Sequence, residues 1–296
     1  METLTLPAQT GLSREQKTAI TYATIMILIH LGILLVISTG VTPVAFLIAF
    51  IFYVVRGLGI SMGYHRYFSH KSFKTSRFFQ FILALMGSAA NQGGVLWWSS
   101  THRGHHKHSD QEEDLHSPIV HNFYHAHLGW MWSQDAYKKS KIRCNDLGKF
   151  PELKALNKYY AFVILFQIVA FYGLGVLLNS LYPELGTSGL QILVWGFFIS
   201  TVFMWHSTFM VNSVCHIWGY QRYKNSGDFS RNNPFVSLLT FGEGWHNNHH
   251  KYGWSARNGF KWWEFDISFY LLKLLSVFGI VWDLKVPTKE QLTATH

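Results

Sequence analysis

Residues 18–55 read TAITYATIMILIHLGILLVISTGVTPVAFLIAFIFYVV, with no charged side chain between Lys17 and Arg56. A bilayer core asks for about 20 consecutive apolar residues per helix. Gly40, Thr42 and Pro43 interrupt the run near its middle, where a turn belongs. The stretch therefore predicts two membrane spans, near 18–39 and 43–61, with Arg56 snorkelling at the end of the second. It is too long for the apolar part of a secretory signal peptide and lacks a clear small-residue cleavage site. Two further uncharged stretches, Tyr159 to Pro183 and Leu185 to Gln221, predict spans near 159–181 and 190–211. The fold class expected is an all-α membrane protein, a single integral-membrane domain over 1–296. It has four transmembrane helices and a cytoplasmic helical cap built from residues 62–158 and 212–296.

Composition agrees. Hydrophobic residues make up 49% of the 296, aromatics 17% and charged residues only 14%, which excludes a disordered or collagen-like chain. Two cysteines, Cys144 and Cys215, exclude a disulfide scaffold and are too few for an iron–sulfur cluster, so any electrons come from elsewhere. The net charge of +9 is placed unevenly. Segments 40–43 and 182–189 carry no Lys or Arg, whereas 62–158 holds just over half of the 25. That asymmetry puts the long loop and both termini in the cytoplasm. It accounts for most of the charge, calls for no nucleic acid, and leaves attraction to anionic headgroups a secondary role. Residues 78–102 are also uncharged, but Gln80, Asn91, Gln92, Gly93 and Gly94 suit an interfacial or re-entrant segment better than a span. Residues 265–284 read as an amphipathic helix on the surface.

Seventeen histidines against sixteen acidic residues is the unusual feature. His65 and His70 lie in HRYFSH, His102, His105 and His106 in HRGHH, and His246, His249 and His250 in HNNHH; NSVCH sets Asn212 four residues before His216. At roughly 100° per residue, i, i+3 and i+4 share a helix face, so each HxxHH can aim three imidazoles at one place. His65 and His70 are about 140° apart on an α-helix, enough to flank a site or to reach two neighbouring metals. A structural zinc takes four ligands and a catalytic zinc three, so nine histidines imply two ions. Imidazole suits zinc, copper, iron and nickel alike. Nine neutral rings also leave the metal charge uncompensated by protein, unlike the Glu/His sites of soluble di-iron bundles.

From about Thr18 to Leu284 the chain resembles the membrane fatty acyl desaturases, of the acyl-CoA or acyl-lipid delta-9 type. It shares with them the order and spacing of HxxxxH, HRxHH, NSxxH and GEGWHNNHH. The resemblance implies a non-haem centre of two iron ions that uses O2 and two electrons to take two hydrogens from an unactivated acyl chain. Carried over by motif, the ligands are His65, His70, His102, His105, His106, His216, His246, His249 and His250, with Asn212 acting through water. His30, His108, His116, His121, His125, His127, His206 and His296 match no ligand position and are expected in structural or surface roles. The substrate implied is a long-chain saturated acyl group on CoA or lipid. The donor implied is separate, such as ferredoxin, rubredoxin or cytochrome b5 with a reductase.

A saturated chain must be positioned by shape. Gly57, Gly59, Gly63, Gly93 and Gly94 permit close backbone approach near the motifs, and Trp97, Trp98, Trp245 and Trp254 are candidates for the tunnel wall, although Trp is also favoured at membrane interfaces. Tyr53, ~18 Å before His65 if one helix joins them, is a candidate cap for the tunnel, and Thr208 a candidate lining of its bend. The rival readings are a di-iron membrane hydroxylase, a zinc hydrolase with about one zinc per chain, and a metal transporter. A transporter would carry ligands at the bilayer midplane, where the spans offer only His30 and His206.

Overall fold

Ser13 starts the first helix with a capping box: its Oγ accepts from Gln16 N at 3.1 Å, and Gln16 Oε1 accepts from Ser13 N at 2.8 Å. In the computed structural model, which describes residues 11–138, 142–224 and 227–293, this helix, α1, spans Arg14–Thr39. The chain turns at Gly40, whose φ of 61° favours glycine. Thr42 then caps α2, Pro43–Ser69, with proline at its first position. There follow α3 (Arg77–Ala89), α4 (Val95–His108), α5 (Phe123–His127), α6 (Pro151–Lys158), α7 (Tyr160–Leu181), α8 (Gly189–Ile217), α9 (Pro234–Leu239), α10 (His246–Lys251) and α11 (Ile267–Val277). A two-stranded antiparallel ribbon, β1 (Lys74–Thr75) with β2 (Val281–Trp282), ties the end of the cap back to the region after α2.

Four helices, α1, α2, α7 and α8, are long and apolar enough to cross a membrane. Their exposed side chains include Leu28, Ile37, Phe46, Phe162, Phe166 and Phe203, apolar residues that suit lipid contact. The central helix is α8: 61% of its apolar window is buried, against 17% for α1 and α7. Helix α3 has 13 residues and would rise only ~20 Å, so the uncharged segment 78–102 holds no helix long enough to cross a bilayer by itself. It breaks at Asn91 and Gly93, both at positive φ, into α3 and α4. Helix α11, of 11 residues, is likewise too short.

Two expectations change. Helices α2 and α8 do not stop near 61 and 211 but continue to Ser69 and Ile217, carrying His65, Asn212 and His216 with them. Nor does Arg56 snorkel. It is fully buried and donates to Ala89 O (2.9 Å), Gly196 O (3.1 Å) and Gln167 Oε1 (2.8 Å), with the Phe52, Phe171 and Phe197 rings around it. Carbonyl dipoles and ring faces solvate the guanidinium inside the bundle, so it joins α2, α3, α7 and α8 rather than reaching for water. Gly59 and Gly63 let α3 lie against α2. A Cβ on Gly59 would stand 2.3 Å from Met86 C, and one on Gly63 2.9 Å from Leu83 O.

Candidate metal centre

From Gly59 to Ser69, α2 widens into a π-helix, and His70 N donates to His65 O at 3.2 Å, a five-residue step. The wider turn brings together two residues that α-helical spacing would set apart. Their ring centroids are 4.9 Å apart, and both point to one cluster. Arg103, inside HRGHH, holds the end of this segment: it donates to Phe68 O (2.7 Å) and Ser69 O (3.0 Å) and forms a two-pronged pair with Asp146 at 2.9 and 3.0 Å. On α4, His102, His105 and His106 follow helical spacing. Helix α10 has only six residues and is held by the asparagines between its histidines. Asn247 accepts from Arg222 N and Tyr223 N, both at 2.8 Å, while Asn248 Nδ2 donates to Asn258 O (2.8 Å) and Glu264 Oε2 (3.1 Å).

All nine histidines converge in two groups. His65, His70, His102, His106 and His249 form one, and His105, His216, His246 and His250 the other; within each, the ligand atoms lie within 4.8 Å of one another. In the first, His249 Nε2 is 2.9 Å from His65 Nε2 and 2.8 Å from His106 Nε2, and His70 and His102 meet at 2.8 Å. In the second, His246 Nε2 lies 3.1 Å from His216 Nε2 and 3.0 Å from His250 Nε2, with His105 to His250 at 3.3 Å.

Behind the rings stand carboxylates, buried ones at Asp110, Asp114 and Glu243 and a partly buried one at Asp228. Asp114 Oδ2 is 2.9 Å from His105 Nδ1, Asp110 Oδ2 2.8 Å from His216 Nδ1, and Asp228 Oδ2 3.1 Å from His250 Nδ1. Glu243 Oε2 lies against His65 Nδ1, in ion-pair contact but off the line of a good hydrogen bond. A neutral imidazole has one N–H and one bare nitrogen. With Nδ1–H given to a carboxylate, the Nε2 atoms of His105 and His250 face each other as lone pairs, a tautomer assignment that follows from the partners. Lone pairs at 3.3 Å repel, and a cation between them converts the repulsion into coordination. The donor set therefore fits metal ions that accept imidazole. The carboxylates also supply the negative charge that the nine rings lack.

The electrostatics differ between the rings. Burial first, then crowding by neighbouring histidines, holds His70, His102, His106, His246 and His249 well below the ordinary imidazole value. For His105 burial also pulls downward, but Asp114, Asp110 and Asp228 outweigh it and the net shift is upward. Burial works to raise Glu243, yet His65 and Arg66 bring it down to about 2. The five lowered histidines have folded values below the unfolded ~6.5, so the unfolded chain takes up protons first. Their contribution is complete above about pH 6.5 and shrinks below it, by up to ~1.4 kcal/mol per pH unit for each ring. Metal-free protein is expected to melt at a lower temperature at pH 5.5 than at pH 7.5. A melting temperature unchanged over that interval would mean the rings are hydrated rather than buried.

Trp98 stacks on His102, with centroids 5.0 Å apart, and lines a narrow cavity of about 40 Å³ together with Gln92, His102, Thr208 and Asn212. Gln92 Nε2 donates to Thr208 Oγ1 at 3.0 Å across this space. On one side Trp97, Thr101, His116 and Trp130 also line a cavity of about 350 Å³; on the other, Gln92, Met131 and Phe209 also line one of about 260 Å³ between α1 and α7. Tyr53 borders none of these three. Its hydroxyl meets Ser207 Oγ (3.0 Å) and Leu239 O (2.7 Å), and its ring leans on Phe241. Trp245 is buried and donates to Phe265 O at 2.9 Å, and Trp254 is half-exposed.

Of the histidines outside the motifs, His116 is buried with its ring 4.4 Å from that of His105. His30, His206 and His127 form a chain, with Nε2 to Nε2 at 3.2 Å and then Nδ1 to Nε2 at 2.9 Å. His296 lies outside the described residues. Cys144 and Cys215 are both free and buried. Sequence reasoning missed Asp110, Asp114, Asp228 and Glu243. Three of them were within reach, because Asp110 and Asp114 lie four and eight residues after the end of HRGHH and Glu243 sits inside GEGWHNNHH.

The model of the fatty acid desaturase family matches residues 15–275, and the chain belongs to that family. It is 39% identical to the palmitoyl-monogalactosyldiacylglycerol delta-7 desaturase of Arabidopsis thaliana, over 82% of this chain and 63% of that protein. To the sn-1 stearoyl-lipid 9-desaturase of Synechocystis it is 40% identical, over 81% and 71%. To the icosanoyl-CoA 5-desaturase of Limnanthes douglasii it is 40% identical, over 79% and 63%. The chain thus spans about 63% of the length of two of these relatives.

Proposed function

We propose that this chain is an oxygen-dependent fatty acyl desaturase that places a cis double bond, at delta-9, in a long-chain saturated acyl group carried by CoA or by a lipid. The reaction removes two hydrogens from adjacent CH2 groups and, with two electrons and two protons, reduces O2 to two waters. Two iron ions held by the nine histidines would supply the oxidant that an unactivated C–H bond requires. The electrons come from a separate donor such as ferredoxin, rubredoxin or cytochrome b5. The observation that carries this reading is the narrow cavity in which Trp98 and Thr208 stand beside His102 and Asn212. A narrow space beside the histidines that shares its walls with two larger cavities suits a chain whose middle is held at the metals. Trp98 and the Gln92–Thr208 bond orient the reacting carbons, and Asn212, one helical turn before His216, lines the same space and is suited to hold a water there.

The test is expression in a host lacking its own desaturase, followed by mass spectrometry of double-bond position. A new 9-monounsaturated acid supports the reading. A hydroxylated chain would favour the hydroxylase, and one zinc per chain without any oxidised lipid the hydrolase. Purified protein with NAD(P)H and oxygen alone should not turn over. The cap belongs on the cytoplasmic side, so a reporter fused after Gly186 should lie outside and one at the C-terminus inside.

Chain length separates two routes for the methyl end. If Tyr53 caps the tunnel, Tyr53→Ala lengthens the accepted chain. If the methyl end follows the cavity lined by Tyr22 and Ile164, Ile164→Trp shortens it and Tyr53→Ala changes nothing. Product profiles of the two variants decide between the routes.

A further inference from the structure

We propose that the two histidine clusters are unequal metal positions, the four-histidine one binding its ion more tightly than the five-histidine one because of the carboxylates behind its rings. The inference rests on the reading that both clusters hold metal. In the four-histidine cluster three of four rings, His105, His216 and His250, have Nδ1 against Asp114, Asp110 and Asp228. A carboxylate accepting Nδ1–H fixes the ring orientation, pushes electron density toward Nε2 and brings a negative charge close to the cation. Asp110 and Asp114 are also held in place: they accept from Ser117 Oγ at 2.6 Å, Phe229 N at 2.9 Å and Asp110 N at 3.0 Å.

The five-histidine cluster has one such carboxylate, Glu243 behind His65, and its charge is shared. Arg66 Nε and Nη2 donate to the same Glu243 at 3.1 and 3.0 Å, so a buried cation offsets it within hydrogen-bonding distance. Among the described residues no carboxylate pairs with His70, His102, His106 or His249, and His249 Nδ1 is buried without a hydrogen-bond partner. One extra imidazole does not replace three nearby negative charges in a buried site where Coulomb terms are weakly screened.

The test uses the full chain loaded with iron, challenged with excess chelator while bound iron is followed with time. Two phases of equal amplitude are expected, with the slow phase belonging to the four-histidine position. His249→Ala should remove the fast phase and His216→Ala the slow one. Asp114→Asn, and independently Asp228→Asn from a different loop, should weaken the slow position by ~10–100-fold and leave the fast phase alone; Glu243→Gln should act on the fast phase only. Two equivalents leaving in a single phase, or both aspartate variants changing the two phases alike, would overturn the inequality while leaving the two-metal reading intact. Binding of one equivalent or none would overturn both.

Discussion

Replacing His249 or His105 with alanine is expected to abolish turnover and to remove one iron per chain, while the protein still inserts and folds. His249 lies where three parts of the chain meet: its Nε2 is 2.9 Å from that of His65 on α2 and 2.8 Å from that of His106 on α4. Helix α10 is pinned by Asn247 and Asn248, so it has little freedom to shift another of its own histidines into that place. His105 plays the corresponding part in the other cluster, with Asp114 fixing its ring. Both positions lie outside the four helices long enough to span a membrane, so insertion does not depend on them. Metal analysis and acyl-product analysis of the same preparation check this. Full activity in either variant would remove that cluster from the chemistry.

The four long apolar helices and the histidine motifs that cluster in the fold were legible because their signals are local. An uncharged run of about 20 residues has few stable states besides a membrane helix, and HxxHH has an α-helical meaning wherever it falls. What stayed hidden depends on departures from α-helix or on partners far away in the chain. His65 and His70 looked divergent because the α period was applied to a segment that is a π-helix, and the i to i+5 bond from His70 N to His65 O leaves no compositional trace. Arg56 looked like a snorkelling residue because its acceptors, Ala89 O, Gly196 O and Gln167, lie on three other helices. Asp228 sits in a loop with no motif, and only the fold carries it to His250.

Arg66→Met is expected to be the most destabilising single change in the cap, by about 3–5 kcal/mol if breaking this buried ion pair behaves like others. Arg66 is 1% exposed and ties Glu243 of GEGWHNNHH by charge to Asp266, just before α11. Its Nη1 donates to Ala256 O at 2.7 Å and Asp266 Oδ2 at 3.1 Å, and its other nitrogens reach Glu243 Oε1. Methionine fills much of the volume but leaves Glu243 and Asp266 buried without that counter-charge. Asp266 also caps α11 by accepting from Phe269 N at 3.0 Å, and Glu243 touches His65, so the loss should spread to both the helix and the five-histidine cluster. Arg66→Lys keeps the charge but not the planar fork and should recover only part of the stability. Arg77→Met is the control: its pair with Glu152, at 2.8 Å, is on the surface, where solvent screens it and its loss should change stability little. Thermal unfolding of the three variants in one detergent, with iron content measured alongside, reads the difference. If Arg66→Met and Arg77→Met melt together, the buried network is not what fixes His65, and the register of the first histidine motif must be held by the π-helix and Arg103 instead.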